Sequence, residues 1–119
     1  MSFRLTEEEY QSILNRNKKR KENKIVFGNK KISEKEIQNN IRDYLQINGW
    51  YVIRHQQSMG SLKGLSDLSA IKDGKTIYIE VKTERGIQSE YQKEFQYNIE
   101  LHGGTYILAR SINDIKKYL

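Results

Sequence analysis

From Ser33 onward the hydrophobic positions switch between two periods. In "SEKEIQNNIRDYLQINGW" the apolar residues Ile37, Ile41, Tyr44 and Leu45 recur at helical spacing. Ser33 with Glu36 has the form of a capping box, and Asn48-Gly49 is a stop signal. The next run, Trp50–His55, reads as a strand, and Gln56–Gly64 as a polar loop. Two alternating segments follow, Asp67–Lys72 and Lys75–Lys82, joined by Asp73-Gly74, a strong signal for a two-residue hairpin. After the loop Thr83–Gln88, Ser89 opens a second helix whose inward face is Tyr91, Phe95, Ile99 and Leu101, ended by Gly103-Gly104. Thr105–Arg110 is another strand. Ser111 and Asp114 start a short last helix with Ile112, Ile115 and Leu119 inward.

The order is α-β-β-β-α-β-α. A right-handed crossover from Lys75 to Arg110 sets the last strand parallel to its predecessor. The fold class is α/β, bordering on α+β, with a mixed sheet flanked by helices. Upstream, Thr6 and Glu9 begin another helix, which fades into the basic run Asn15–Lys24, and Val26–Lys31 has the look of a linker. The chain therefore divides into a basic helix and linker, 1–31, and a domain, 32–119.

The hairpin carries the candidate chemistry. A two-residue turn at Asp73-Gly74 sets Ala70 opposite Ile77, Leu68 opposite Ile79, and Asp67 opposite Glu80. Lys82 projects from the same face as Glu80, while Leu68, Ala70, Ile77, Ile79 and Val81 form the core side. Opposed carboxylates repel, and a divalent cation would offset that; oxygen ligands suit Mg²⁺ or Mn²⁺. A cation there could activate water, with Lys82 positioning or deprotonating it, or stabilising developing charge. The same residues also suit a plain solvent-facing strand, with Lys72 and Lys82 screening the acids.

Composition narrows the classes. The 119 residues suit one small domain, and 36% hydrophobic content allows a modest core; Tyr supplies 8 of the 12 aromatic residues, so much of that core is amphipathic. No apolar run approaches the length of a membrane span, and the acidic start "MSFRLTEEEY" lacks the apolar stretch of a secretory signal. The absence of cysteine excludes disulfides and thiolate metal sites and fits a reducing cytoplasm. Two histidines, His55 and His102, argue against a His-rich zinc site. The net charge is +6, and residues 1–31 hold nine Lys/Arg against four Glu. That concentration favours a polyanion, or else makes a solvated tail.

The pattern Ser66-Asp67 followed by Ile79-Glu80-Val81-Lys82 resembles the PD-(D/E)XK nuclease superfamily. Residues 33–119 look most like its VRR-NUC domain family, through "EIQ" at Glu36, "KGLSDL", "IEVK", "SEYQ" and "HGGTYIL". The resemblance implies a restriction-endonuclease-like core and cleavage of DNA with Mg²⁺ or Mn²⁺. It implies Asp67, Glu80 and the Val81 carbonyl as metal ligands, Lys82 as the catalytic lysine, and Glu36 and Gln92 as further site residues. Glu36 would reach the metal or its water. It also suggests branched or junction DNA, a homodimer and a phage or prophage setting. Ser66 stands where the superfamily has its proline. Glu36 and Gln92 each also complete a capping box, with Ser33 and Ser89.

Other candidates for contact with nucleic acid are Lys63 between Gly60 and Gly64, Arg54 with its neighbour His55, Lys93, and the basic group Arg16, Lys18, Lys19, Arg20 and Lys21. Arg85 and Gly86 would form a rim. His102 suits the end of a helix, and Trp50 the core. The sequence thus points to a metal-dependent endonuclease acting on DNA. The competing readings are a non-catalytic nucleic-acid-binding module on the same fold and a protein-interaction domain with a basic arm.

Overall fold

A computed structural model describes residues 6–22, 31–58 and 60–119, without the side chains of residues 17–22. The elements are α1 (Glu7–Glu22), α2 (Glu34–Ile47), β1 (Tyr51–Arg54), β2 (Leu68–Lys72), β3 (Lys75–Val81), α3 (Glu90–Leu101), β4 (Thr105–Ala109) and α4 (Ile112–Lys116). They form one mixed sheet in the order β1-β2-β3-β4, with β3 and β4 parallel and the other pairs antiparallel. This is a restriction-endonuclease-like arrangement, with the parallel pair created by the α3 crossover.

The hairpin register follows from its turn. Asp73 and Gly74 both have positive φ, 51° and 77°, the backbone that matches strand twist in a two-residue turn. Lys72 then pairs with Lys75, Ala70 with Ile77, and Leu68 with Ile79. On one face Leu68, Ala70, Ile77, Ile79, Val81, Ile107 and Ala109 pack against Ile37, Ile41 and Leu45 of α2, with Trp50 and Ile115. The helical spacing of α2 supplies that apolar stripe, and Ser33 Oγ caps the helix by accepting from Glu36 N at 3.2 Å. The other face is covered by α3: Phe95 meets Tyr78 edge-on, ring centroids 5.7 Å apart.

Several expectations change. The first helix does not fade at the basic run but continues to Glu22, and it packs on α2. The first strand is Tyr51–Arg54, shorter at both ends than Trp50–His55. In α3 only Phe95 is buried; Tyr91 and Leu101 are exposed, because a helix over half a four-stranded sheet needs only a narrow apolar stripe. Leu119 is exposed too. Ser111 makes no side-chain cap; Asp114 Oδ2 instead accepts from Arg110 N at 2.8 Å. The expected linker from Val26 lies outside the described residues up to Lys31. No described helix is long and apolar enough to cross a membrane.

Candidate active site

The ladder between β2 and β3 ends at Leu68 and Ile79, so Asp67 stands one residue beyond it. Its carboxylate remains at the Glu80 end of β3: Oδ2 accepts from Val81 N at 2.8 Å. Ser66, at the position of the superfamily's proline, is fully buried, and its hydroxyl donates to Leu68 O at 3.0 Å. That bond spans Asp67 and fixes the approach to it by hydrogen bonding rather than by a ring.

Glu80 is only 1% exposed, which rules out a solvent-facing strand. Gln92 Nε2 donates to Glu80 Oε1 at 2.9 Å, and Lys82 Nζ lies 3.8 Å from the same oxygen. Glu80 Oε2 is buried and has no hydrogen-bond partner among the described residues. Burial pushes the carboxyl up to about 8, helped by the Asp67 charge and opposed by the Lys82 ammonium. Glu34, in the first turn of α2, adds to the upward push.

Gln92 does two jobs with one amide. Its Oε1 accepts from Ser89 N at 2.9 Å, while Ser89 Oγ accepts from Gln92 N, a full capping box. Its Nε2 then reaches Glu80. A capping role and a site role thus coexist in one side chain. Gly64 brings the preceding loop onto the same turn. It has φ of +81°, and a Cβ there would collide with the Tyr91 carbonyl and lie 2.8 Å from Gln92 N. The close approach of this glycine is to α3 itself.

The remaining candidates scatter. Glu36 and Glu34 are both exposed, and of the two only Glu34 adds to the upward push on Glu80, as its smallest contribution. Both are acidic first-turn residues after Ser33, and only helix docking selects between them. Lys63 is exposed, with Nζ 4.9 Å from the Tyr91 ring centroid. Arg54 donates to Asn39 Oδ1 at 2.6 Å. Lys93 pairs with Glu90 at 3.4 Å rather than following Gln92 inward. Lys72, expected near the acids, donates to Asn48 O at 2.8 Å, at the far end of the hairpin. Arg16 is exposed on α1, and the side chains of Lys18, Lys19, Arg20 and Lys21 lie outside the described part. His102 caps α3, its Nδ1 2.7 Å from Asn98 O.

His55 is more involved than its sequence position suggested. Its backbone N donates to Asp67 O at 2.8 Å. Its Nε2 is buried without a partner among the described residues, and burial lowers its pKa against the pull of Asp67.

The donor set fits a divalent cation. A buried carboxylate oxygen without a partner, beside a second carboxylate, is the arrangement a hard cation satisfies. Among the described residues, no group of three His, Cys, Asp or Glu is gathered into a complete ligand cluster. Backbone carbonyls, water and substrate oxygens would complete the shell.

The chain matches the family model of the archaeal Holliday junction resolvases (Hjc) over residues 29–101. The chain belongs to this family. Hjc is a family of the PD-(D/E)XK nuclease superfamily, in agreement with the mixed sheet and the order of Asp67, Glu80 and Lys82. The match covers α2 through α3, and with them Asp67, Glu80, Lys82 and Gln92, while β4, whose Leu108 pairs with Glu80, and α4 lie outside it. No curated protein and no solved structure matches the chain.

Proposed function

We propose that the chain is a divalent-metal-dependent endonuclease that hydrolyses phosphodiester bonds of branched or junction DNA. The observation that carries this is Glu80, buried beside Asp67 and Lys82 with one carboxylate oxygen unpartnered. A nuclease fold kept only for binding gains nothing from such a group, whose burial without a partner costs stability.

Asp67, Glu80 and the Val81 carbonyl would hold Mg²⁺ or Mn²⁺. Bound there, the ion would supply Lewis-acid stabilisation of phosphate charge and a more acidic water. The chain's own groups do the rest. Gln92 holds Glu80 Oε1, so the other oxygen stays turned to the site. The backbone N of Val81 orients the Asp67 carboxylate. The Lys82 ammonium would donate to a phosphate oxygen as a water oxygen bonds to phosphorus and the bond to the leaving oxygen breaks, the water's proton passing through solvent to the leaving oxygen. Glu34, through its charge at Glu80, is a better candidate than Glu36 for the helix carboxylate of the site.

Lys63, Arg54 and the basic stretch from Arg16 to Lys21 would add affinity that depends on salt rather than sequence. Residues 32–119 would be the nuclease unit and 1–31 its basic arm. Two strands of a junction call for two sites, so a homodimer is the expected working form, in the compartment that holds the DNA. The likeness of "EIQ", "IEVK" and "SEYQ" to VRR-NUC domains supports the nuclease superfamily only, since the family matched is Hjc.

The test is cleavage of duplex, flapped and four-way junction DNA with Mg²⁺ or Mn²⁺, beside Glu80→Ala and Lys82→Ala. Wild type should cut the junction and both variants should not. If wild type shifts these DNAs but cuts none with either metal, the enzyme reading fails and a binding module stands.

A further inference from the structure

Three features meet just beyond Lys82. The loop Thr83–Gly86 doubles back after β3. Arg110, at the end of β4, reaches across with Nη1, whose two N–H groups donate to the carbonyls of Thr83 at 2.5 Å and Gly86 at 2.7 Å, with Glu84 O at 3.2 Å sharing one of them. Arg110 is itself fixed, since its backbone N donates to Asp114 Oδ2. Gly86 is pressed onto the aliphatic stem of Lys82. A Cβ at Gly86 would lie 3.3 Å from Lys82 Cδ and 3.4 Å from Lys82 Cβ. The Lys82 side chain is 14% exposed, and its ammonium is directed to Glu80.

We infer that Arg110 is a positioning residue for Lys82, acting through the Thr83–Gly86 loop. This rests on the nuclease reading for its consequence, but not for its geometry. A lysine stem has four rotatable bonds and about 2 kcal/mol of rotamer entropy. Left open on one side, it would swing the ammonium into solvent. A guanidinium gripping three carbonyls holds the loop shut as a wall behind the stem. Salt-bridge screening matters little here, because charge-assisted bonds to carbonyls, partly shielded from water, carry the grip. Arg110 sits at the β4–α4 junction, beyond the residues matched to the family.

The experiment has one arm free of catalysis. Metal-free protein is labelled with a limiting amine-reactive reagent, and each lysine is read by mass spectrometry. In Arg110→Gln, labelling of Lys82 should rise several-fold while Lys72 and Lys93 stay unchanged. Arg110→Lys, which keeps a cationic donor, should restore part of the protection. In the second arm, single-turnover cleavage of junction DNA by Arg110→Gln should fall about 10- to 100-fold, the usual cost of a misplaced catalytic group. Junction affinity should hold, because Arg110 grips the loop and not the DNA.

Gly86→Ala supplies a second variant, since its methyl would crowd the Lys82 stem and Thr83 Oγ1, both at 3.3 Å, while the Arg110 side chain is kept. It should slow cleavage while leaving the melting temperature close to wild type. Unchanged Lys82 labelling in folded Arg110→Gln overturns the inference; should that variant not fold, unchanged cleavage by Gly86→Ala does so. Weakened junction binding at unchanged single-turnover rate would make Arg110 a DNA contact and overturn it as well. If wild type cuts no DNA, the labelling arm still decides the positioning claim, while the nuclease reading fails separately.

Discussion

Replacing Glu80 by glutamine should make the metal-free protein more stable at alkaline pH. Folding moves this carboxyl from 4.5 to about 8, through burial first and the Asp67 charge second. The folded chain therefore keeps a proton that the unfolded chain releases above pH 4.5. Stability is full below 4.5, falls as pH rises toward 8, and is level beyond. Over that window the ceiling is about 5 kcal/mol, at about 1.4 kcal/mol per pH unit. Solvent reaching Asp67 and Lys82 trims it toward about 2–5 kcal/mol. Glutamine mimics the protonated acid in shape and cannot ionise. Urea melts of wild type and Glu80→Gln from pH 4 to 9, without divalent cation, measure the difference. The two should coincide near pH 4.5 and separate by about 1–2.5 M in midpoint at pH 8.5, for an m-value of about 2 kcal/mol/M. Titrations away from Asp67 and Lys82 cancel in the comparison. A wild-type-minus-variant difference that stays flat across this range would refute the reasoning.

The same logic predicts that at pH 7 Mn²⁺ raises the melting temperature of wild type and displaces a proton, measurable by calorimetry in buffers of different ionisation enthalpy; Asp67→Ala should show neither effect. Gly64→Ala should destabilise by at least about 2 kcal/mol in urea melts, since its Cβ meets the Tyr91 carbonyl at a positive φ; a near-neutral result would mean the loop does not pack on α3. Gln92→Leu removes both the cap and the donor to Glu80, and should cost about 1–3 kcal/mol at pH 8.5, where the carboxylate is charged. Glu34→Gln should lower the midpoint of the Glu80 carboxyl carbon in an NMR titration, and Glu36→Gln should leave it in place; equal effects would return Glu36 to the site.

What was legible in the chain was whatever depends on neighbours in sequence. Asp73-Gly74 dictates a turn with two positive φ angles, and with it the pairing of Leu68 with Ile79 and of Ala70 with Ile77. Ser33 and Ser89 start their helices because their hydroxyls reach an N–H three residues on. The core of Ile37, Ile41 and Leu45 against alternate β3 residues follows from periods of 3.6 and 2. These local rules brought Asp67, Glu80 and Lys82 to one end of one hairpin.

The docking of α3 and α2 on the two sheet faces decided the rest. Packing of α3 buried Glu80, raised its carboxyl and turned a capping glutamine onto it. The seat of α2 added a small push from the exposed Glu34 to the Glu80 carboxyl. The return of β4 brought Arg110 to a loop that precedes it by more than twenty residues. Desolvation and charge proximity depend on what lies across space, and a residue string orders only what lies along the backbone. The hairpin was therefore written in the sequence, and the burial that makes its two acids a place for a cation came from the tertiary fold.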